Sequence, residues 1–321
     1  MSSGSLGAYV LRRLLVAIPL ILLISLGVFA LVNLAPGDPA RALVGSRQAS
    51  PETLAAIREQ YNLDEPFVVQ YLIWLRQALT GDLGRSIQGS QLVTTMIWQR
   101  LPLTLFLGLY GSLVALGIGI PLGILAALKR GSEVDRGVVT LGVFGVSAPA
   151  FATGIFLLYV FGVILGWFPI FGQGEGFVGR VWHLTLPAVA LGISALGLVI
   201  KITRASMLEE LQKDYVAFAR ARGLGRRRIT VSYVLRNALI PVVTAAGLIV
   251  VGLLTGAVLV EVTFGLPGLG MLLVSAVTQR DIPVIQGIVL VLAIFVVLMH
   301  VAIDVLYTLI DPRIRFGRVE A

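Results

Sequence analysis

Few residues in this chain could do covalent or acid–base chemistry. Cysteine is absent, which removes thiol nucleophiles, thiolate metal ligands and disulfides together. The two histidines, His183 and His300, fall in different predicted spans or loops, so neither a metal site nor a serine–histidine hydrolase is expected. No phosphate-binding loop of the glycine, four residues, glycine-lysine-hydroxyl type occurs. Gly265-Leu266-Pro267-Gly268-Leu269-Gly270 lacks the strand, helix and spacing of a dinucleotide fingerprint. One acid lies inside an apolar run. Asp304 is about 10 Å from the inner end of that run, where an isolated carboxylate costs about 2.5–3.5 kcal/mol on insertion scales. It is expected to face the bundle interior with a partner, in a structural role rather than as a proton relay. No catalytic residue is assigned.

The other candidate is a surface rather than a reactive group. Lys213 to Pro241, KDYVAFARARGLGRRRITVSYVLRNALIP, is long, polar and basic, and it separates two hydrophobic blocks, so it reads as a large loop on one side of a membrane. Leu208, Leu211, Tyr215 and Phe218 recur at i, i+3, i+7 and i+10, one stripe of a helix, with Lys213, Ala217 and Arg220 turned away. Gly223 is predicted to take the left-handed cap position, Leu224 to supply the apolar contact beyond it, and Arg220 and Arg222 to complement the helix dipole. Such a stripe packs either on the protein's own membrane bundle or in a groove of a partner, and the residues alone leave both readings open.

Asp214-Tyr215, Ala219-Arg220-Ala221-Arg222-Gly223-Leu224 and Leu235-Arg236-Asn237-Ala238-Leu239-Ile240-Pro241 together resemble the cytoplasmic coupling loop of peptide-type ABC importer permeases. The resemblance implies that Asp214, Tyr215, Phe218, Ala219, Arg220, Ala221, Arg222, Gly223 and Leu224 form the contact with a separate ATPase, with the family's loop glycine at Gly223. Importers of sugars and other solutes carry a Glu-Ala-Ala start six residues before that glycine and a Leu-Pro after it. Here Ala217 stands first and the proline comes late, at Pro241, a spacing similar to the peptide and nickel branch.

Composition places these residues in a membrane. Of 321 residues 57% are hydrophobic and 13% charged, with mean hydropathy +0.93; soluble domains are roughly 25% charged. The net charge of +8 fits positive-inside topology rather than nucleic acid. Arg12-Arg13 precedes an uncharged run from Leu14 to Val32, too long for a signal-peptide core and without a convincing cleavage site, so it reads as a first span entering from the cytoplasm. Further spans are expected at Leu101–Leu128, Gly137 to about Leu165, Leu184–Ile200, Ala238–Val260 and about Ile282–Ile310, with a cytoplasmic loop over 201–237. Leu269–Val277 is too short to cross and reads as a helix half-sunk at the outer face. This topology puts about twice as many basic residues inside as outside. Gly119-x-x-x-Gly123, Gly162-x-x-x-Gly166 and Gly252-x-x-x-Gly256 would allow close helix contact.

Residues 34–100 form a polar insert with its own helix signals. Ser50-Pro51-Glu52 reads as N-cap, first-turn proline and first-turn acid, followed by Leu54, Ile57 and Tyr61 on one face; a second helix runs from near Pro66 through Leu72, Leu75 and Leu79 to Gly81. Gly81-Asp82-Leu83-Gly84-Arg85-Ser86 resembles the signature of the first of two permeases in the peptide branch, and Asp311-Pro312-Arg313-Ile314-Arg315 resembles the family's ending.

The chain is therefore expected to be all-α, a single transmembrane domain over 1–321 with six transmembrane helices and a small external subdomain between the first two. The resemblance implies a non-enzymatic permease subunit of an ATP-driven importer in a bacterial or archaeal plasma (inner) membrane, with both termini cytoplasmic. It implies a second homologous permease, two ATPase subunits holding ATP and Mg, and an extracytoplasmic binding protein delivering di- or oligopeptides. Nickel chelates or glutathione are the next cargo. A proton-coupled secondary transporter is the competing class; it would need coupling residues inside the membrane and no such loop.

Overall fold

The computed structural model describes residues 6–34, 40, 50–60 and 62–310. These are helical almost throughout, and the one isolated antiparallel bridge among them joins Arg85 to Leu92. In chain order the elements are α1 (Leu6–Leu34), α2 (Pro51–Gln60), α3 (Phe67–Leu79), α4 (Val93–Leu128), α5 (Glu133–Ser147) and α6 (Ala150–Ile164, π-helical from Leu158). There follow α7 (Gly176–Glu210), α8 (Asp214–Ala221), α9 (Arg226–Thr263, π-helical over Ile229–Leu235), α10 (Leu269–Gln279) and α11 (Ile282–Ile310). Five of these, α1, α4, α7, α9 and α11, are long and apolar enough to cross a membrane. Helices α5 and α6 reach that length and hydropathy only as a pair, bent by 102° at their junction, so the described residues hold five such helices, or six with the pair taken as one span. Ala148 is extended there (ψ 121°) because Pro149 disfavours a helical residue before it.

Several expected boundaries move. Span two begins at Val93 rather than Leu101, span four covers 176–210 rather than 184–200, and the basic loop of 201–237 is mostly the ends of α7 and α9. Charge-free windows mark the hydrocarbon stretch, whereas a helix continues until something replaces its terminal hydrogen bonds. Tyr61, the tail from Asp311 and most of 35–49 lie outside the described residues.

The chain forms two compact units, one of Met1–Leu103 with Pro267–Val301 and one of Thr104–Leu266 with Ala302–Ala321. In the second, α7 is the central helix, and glycines let its neighbours approach. A Cβ at Gly197 would overlap the carbonyl of Gly142 on α5, and one at Gly192 would come within 2.9 Å of the Gly111 carbonyl on α4. Gly119 and Gly123 face Val199 and Thr203, so that spacing is a helix contact. The other two spacings do not act as pairs: nothing lies within 4 Å of a Cβ at Gly252 while one at Gly256 would meet Leu191 of α7 at 3.8 Å, and Gly166 sits in a turn at φ 64°.

In the first unit Val93 and Ile97 of α4 pack on Leu269, Leu272 and Ala276 of α10 and on Val284 and Ile288 of α11. The short helix α10 is thus packed along one side against α4 and α11. Ser50 Oγ accepts from Thr53 N at 3.2 Å, the expected N-cap of α2. The Gly81–Ser86 signature makes a structural lock. Gly81 and Gly84 take φ of 85° and 82°, and the loop they shape brings Ser86 Oγ to 2.5 Å from the buried Asp281 carboxylate. Backbone N–H groups of Ile87 and Gln88 also donate to it, at 3.2 and 3.4 Å. Asp281→Ala removes the acceptor of three donors and is expected to destabilise the unit by roughly 2–3 kcal/mol, Ser86→Ala by less, and the double variant by no more than Asp281→Ala alone. Thermal unfolding of the purified chain in detergent checks this.

Candidate functional site

The helix α8 is set between two spans by a tight turn at each end. α7 ends at Glu210, three residues turn the chain, and α8 starts with Asp214 in its first turn, an acid at the positive end of the dipole. At the far end Gly223 takes φ 75°. Its N–H bonds the Arg220 carbonyl at 2.9 Å and the Leu224 N–H bonds the Ala219 carbonyl at 3.2 Å, the paired closure of a Schellman cap. Leu224 then folds back onto the cluster beneath the helix.

One face of α8 is committed to the protein itself. Val216 and Ala219 are buried against Ala127, Met207, Ile229, Val234 and Ala238, drawn from α4, α7 and α9. Tyr215 ties the same elements together through polar groups. Its hydroxyl donates to the Glu210 carboxylate at the end of α7, and Asn237 Nδ2 of α9 donates to the Tyr215 oxygen at 3.2 Å and to the Tyr233 carbonyl at 3.0 Å. That carbonyl belongs to the π-helical segment, where the normal i→i−4 pattern is interrupted. Burial first, and then the bond to Glu210, push the Tyr215 phenol above its ordinary pKa, so it stays protonated and keeps donating at neutral pH.

The opposite face is open. Phe218 is 70% exposed, and Asp214, Ala217, Arg220, Ala221 and Arg222 are exposed around it. The structure thus divides the residues singled out from the sequence. Phe218 and its polar neighbours share the outer face, whereas Ala219 is buried and Tyr215 and Leu224 are half-buried against the bundle. The expected stripe Leu208, Leu211, Tyr215, Phe218 is corrected: the turn at 211–213 breaks the helix and resets its phase. Leu208, Leu211 and Tyr215 pack inward, and Val216, outside that stripe, takes the fully buried place.

Besides Asp281, the buried acids Asp135 and Glu261 went unnoticed in the sequence. Asp135, in the first turn of α5, receives Arg204 of α7 in a two-pronged pair, Nε at 2.7 Å and Nη2 at 2.8 Å, and also the Gly131 N–H at 2.9 Å. Glu261, in the last turn of α9, is fully buried and accepts Thr104 Oγ1 at 2.6 Å. An acid at the edge of a charge-free run signals neither case, because its partner is distant in sequence. Asp304 is half-buried and engaged by a neighbour. A groove of about 1190 Å³ between α5, α7 and α9 is lined by apolar residues such as Val143, Leu198 and Leu248, with Lys201 and Arg204 among its few polar members.

Comparison with known proteins agrees with this layout. Residues 119–316 match the family described as the binding-protein-dependent transport system inner membrane component, and residues 6–108 match the N-terminal part of such components. The chain is 39% identical over 333 residues to the dipeptide transport system permease protein DppB of Escherichia coli (strain K12), covering 96% of this chain and 98% of that one. It is 39% identical over 334 residues to the di/tripeptide transport system permease protein DppB of Pseudomonas aeruginosa (strain UCBPP-PA14), covering 97% and 99%. A Brucella abortus (strain 2308) protein, provisionally named a peptide transport system permease, is 41% identical over 312 residues, covering 96% and 99%. In fold the chain is similar to a chain of the inward-facing MetNI methionine ABC transporter, with TM-score 0.58 and 20% identity over 67% of this chain and 96% of that one.

Gly223→Val is expected to loosen the cap alone. No neighbour lies within 4 Å of the added Cβ, so the cost, roughly 1–2 kcal/mol, is that of a β-branched residue in the left-handed region. Hydrogen–deuterium exchange over 214–224 should accelerate while α4 and α7 keep their protection. Gly223→Asn, which tolerates that region, should restore most of the protection; equal loss in both variants would argue against the cap.

Proposed function

The chain belongs to the family of binding-protein-dependent transport system inner membrane components, and from that premise we propose that α8 is the element through which a separate ATPase drives it. The protein is a multi-pass transmembrane permease subunit of an ATP-driven importer and is not itself an enzyme. The observation that carries the coupling reading is the division of α8 into two faces. Its inner face joins α4, α7 and α9, and its outer face presents an exposed aromatic, Phe218, beside arginines. A helix closed at Gly223 and packed along its inner face in this way transmits a push at its outer face to three membrane helices at once.

The remaining assembly follows as part of the same proposal. A second homologous permease completes the pathway, two ATPase subunits hold ATP and Mg, and an extracytoplasmic binding protein delivers the substrate. Short peptides are the proposed cargo, supported by the di- and tripeptide transport named for the relatives. The described spans offer a zwitterion few ionic partners, since Asp135 is neutralised by Arg204 and Glu261 is held by Thr104. A conduit so lined holds its cargo weakly and leaves selection to the binding protein.

Phe218→Asp is expected to lower ATPase docking affinity by about 2 kcal/mol while the permease still inserts, because Phe218 is 70% exposed and lies outside the packed cluster beneath the helix. Co-purification with the ATPase subunits reads the loss; peptide uptake into proteoliposomes holding the complete complex should fall with it and should require ATP and the binding protein. Unchanged ATPase recovery would remove α8 from the coupling role, and uptake driven by a proton gradient without ATPase would overturn the importer assignment. Orientation is checked separately. In the cysteine-free chain, Gln212→Cys should react with an impermeant thiol reagent only from the cytoplasm, and Gln173→Cys and Gln279→Cys only from outside.

A further inference from the structure

The helix α3 carries two apolar faces, and α1 accounts for one. Phe67, Tyr71 and Trp74 place their rings 5.5, 5.7 and 5.5 Å from the Phe29 ring of α1. The Tyr71 hydroxyl meets Ser25 Oγ at 2.8 Å and donates to the Leu22 carbonyl at 3.3 Å. The second face is Val68, Leu72, Leu75 and Leu79, spaced i, i+4, i+7 and i+11. Val68 is 63%, Leu72 56% and Leu79 80% exposed, and no residue of α3 is buried. Arg76 borders this stripe on one side, and Gln70 and Gln77 lie on the opposite flank.

The contacts with α1 set the depth of this helix. The uncharged run of α1 ends at Val32, so Ser25 lies roughly 10 Å and Leu22 roughly 15 Å inside its end at 1.5 Å per residue. If α3 sat in water beyond the bilayer, Ser25 and Phe29 would have to leave the membrane with it. The uncharged run remaining below Ser25 would then span only about 17 Å, against the roughly 30 Å of hydrocarbon that must be crossed. The Tyr71 hydroxyl, at that depth, is satisfied by α1 rather than by water. Leu22 and Leu26, themselves exposed on α1, continue an apolar surface at the same level.

We propose that α3 is an interfacial helix embedded in the leaflet that holds the C-terminal end of α1, with Val68, Leu72, Leu75 and Leu79 against acyl chains and Arg76 reaching the phosphate headgroups. The insert is then a membrane-lining element rather than a domain wholly in water. It covers the side of α1 that carries Leu22, Ser25 and Phe29, beside the tie that Gln286 of α11 makes to the Val28 and Phe29 carbonyls.

The absence of cysteine makes the test direct. Nitroxide labels are placed singly on Val68→Cys, Leu72→Cys and Leu79→Cys, and for comparison on Gln77→Cys and Asp82→Cys, in the full chain reconstituted into phosphatidylcholine–phosphatidylglycerol vesicles. Collision with oxygen, which concentrates in acyl chains, is compared with collision with a water-soluble nickel chelate. The expected result is an oxygen-to-nickel ratio several-fold higher at the three stripe positions than at Gln77 and Asp82. Ratios like those of Asp82 would place α3 in water and overturn the proposal. Labels shielded from both reagents would also overturn it, since they would show a protein, such as a second copy of this chain, covering the stripe. All labelled positions are exposed and cysteine is small; Asp82→Cys also removes the acceptor of the Gly84 N–H at 2.9 Å, and circular dichroism of each variant verifies that the fold is kept.

Discussion

Apolar helices gain little from meeting one another in a solvent as apolar as themselves, so this bundle depends on close backbone approach and on a few polar ties. The central helix α7 supplies both. Gly197 lies on the Gly142 carbonyl and Gly192 near that of Gly111, so α5 and α4 approach α7 closer than any larger residue would permit. At the end of α7 toward α8, Arg204 closes on Asp135 with two short bonds. That pair draws the start of α5 to the same helix whose end leads into α8. Removing the glycine contacts would leave the polar pair without a frame, and removing the pair would leave a buried carboxylate without a counter-ion.

The coupling helix inherits its rigidity from this arrangement. Eight residues are too few to hold a helix in water alone. α8 persists because Val216 and Ala219 are buried, Gly223 closes its end, and Tyr215 bridges Glu210 to Asn237. The π-helical turn at Ile229–Leu235 belongs to the same design, since it leaves the Tyr233 carbonyl to accept from Asn237. An element held this firmly on one side can leave an aromatic exposed on the other without collapsing onto it.

In the unit of Met1–Leu103 with Pro267–Val301, a different economy holds. Asp281 is a carboxylate among neutral donors, Ser86 Oγ and two backbone N–H groups, and it fixes the signature loop to the start of the last span. Gln286 makes a second tie, its amide donating to the Val28 and Phe29 carbonyls of α1. Polar groups inside a low-dielectric unit are therefore used as fasteners between segments far apart in sequence, each with its donors and acceptors matched.

The class of the molecule, its spans and its cap were legible in the sequence because each is a local signal. Charge-free runs measure hydrocarbon thickness, Ser50-Pro51-Glu52 starts a helix wherever it occurs, and Gly223 followed by Leu224 ends one. Three things were not local. The phase of α8 depended on a turn at 211–213 that the periodicity of Leu208, Leu211, Tyr215 and Phe218 passes over, so Phe218 left the stripe for the open face and Val216, which the periodicity did not single out, became the buried residue. The bend at Pro149 and the extension of α7 and α9 depended on which ends found replacement hydrogen bonds. The pairings Asp135–Arg204, Thr104–Glu261 and Ser86–Asp281 join residues 69, 157 and 195 positions apart. A sequence states which charges exist; only the folded chain decides which are desolvated together, because burial and partnership are properties of the place a side chain reaches and not of its neighbours along the chain.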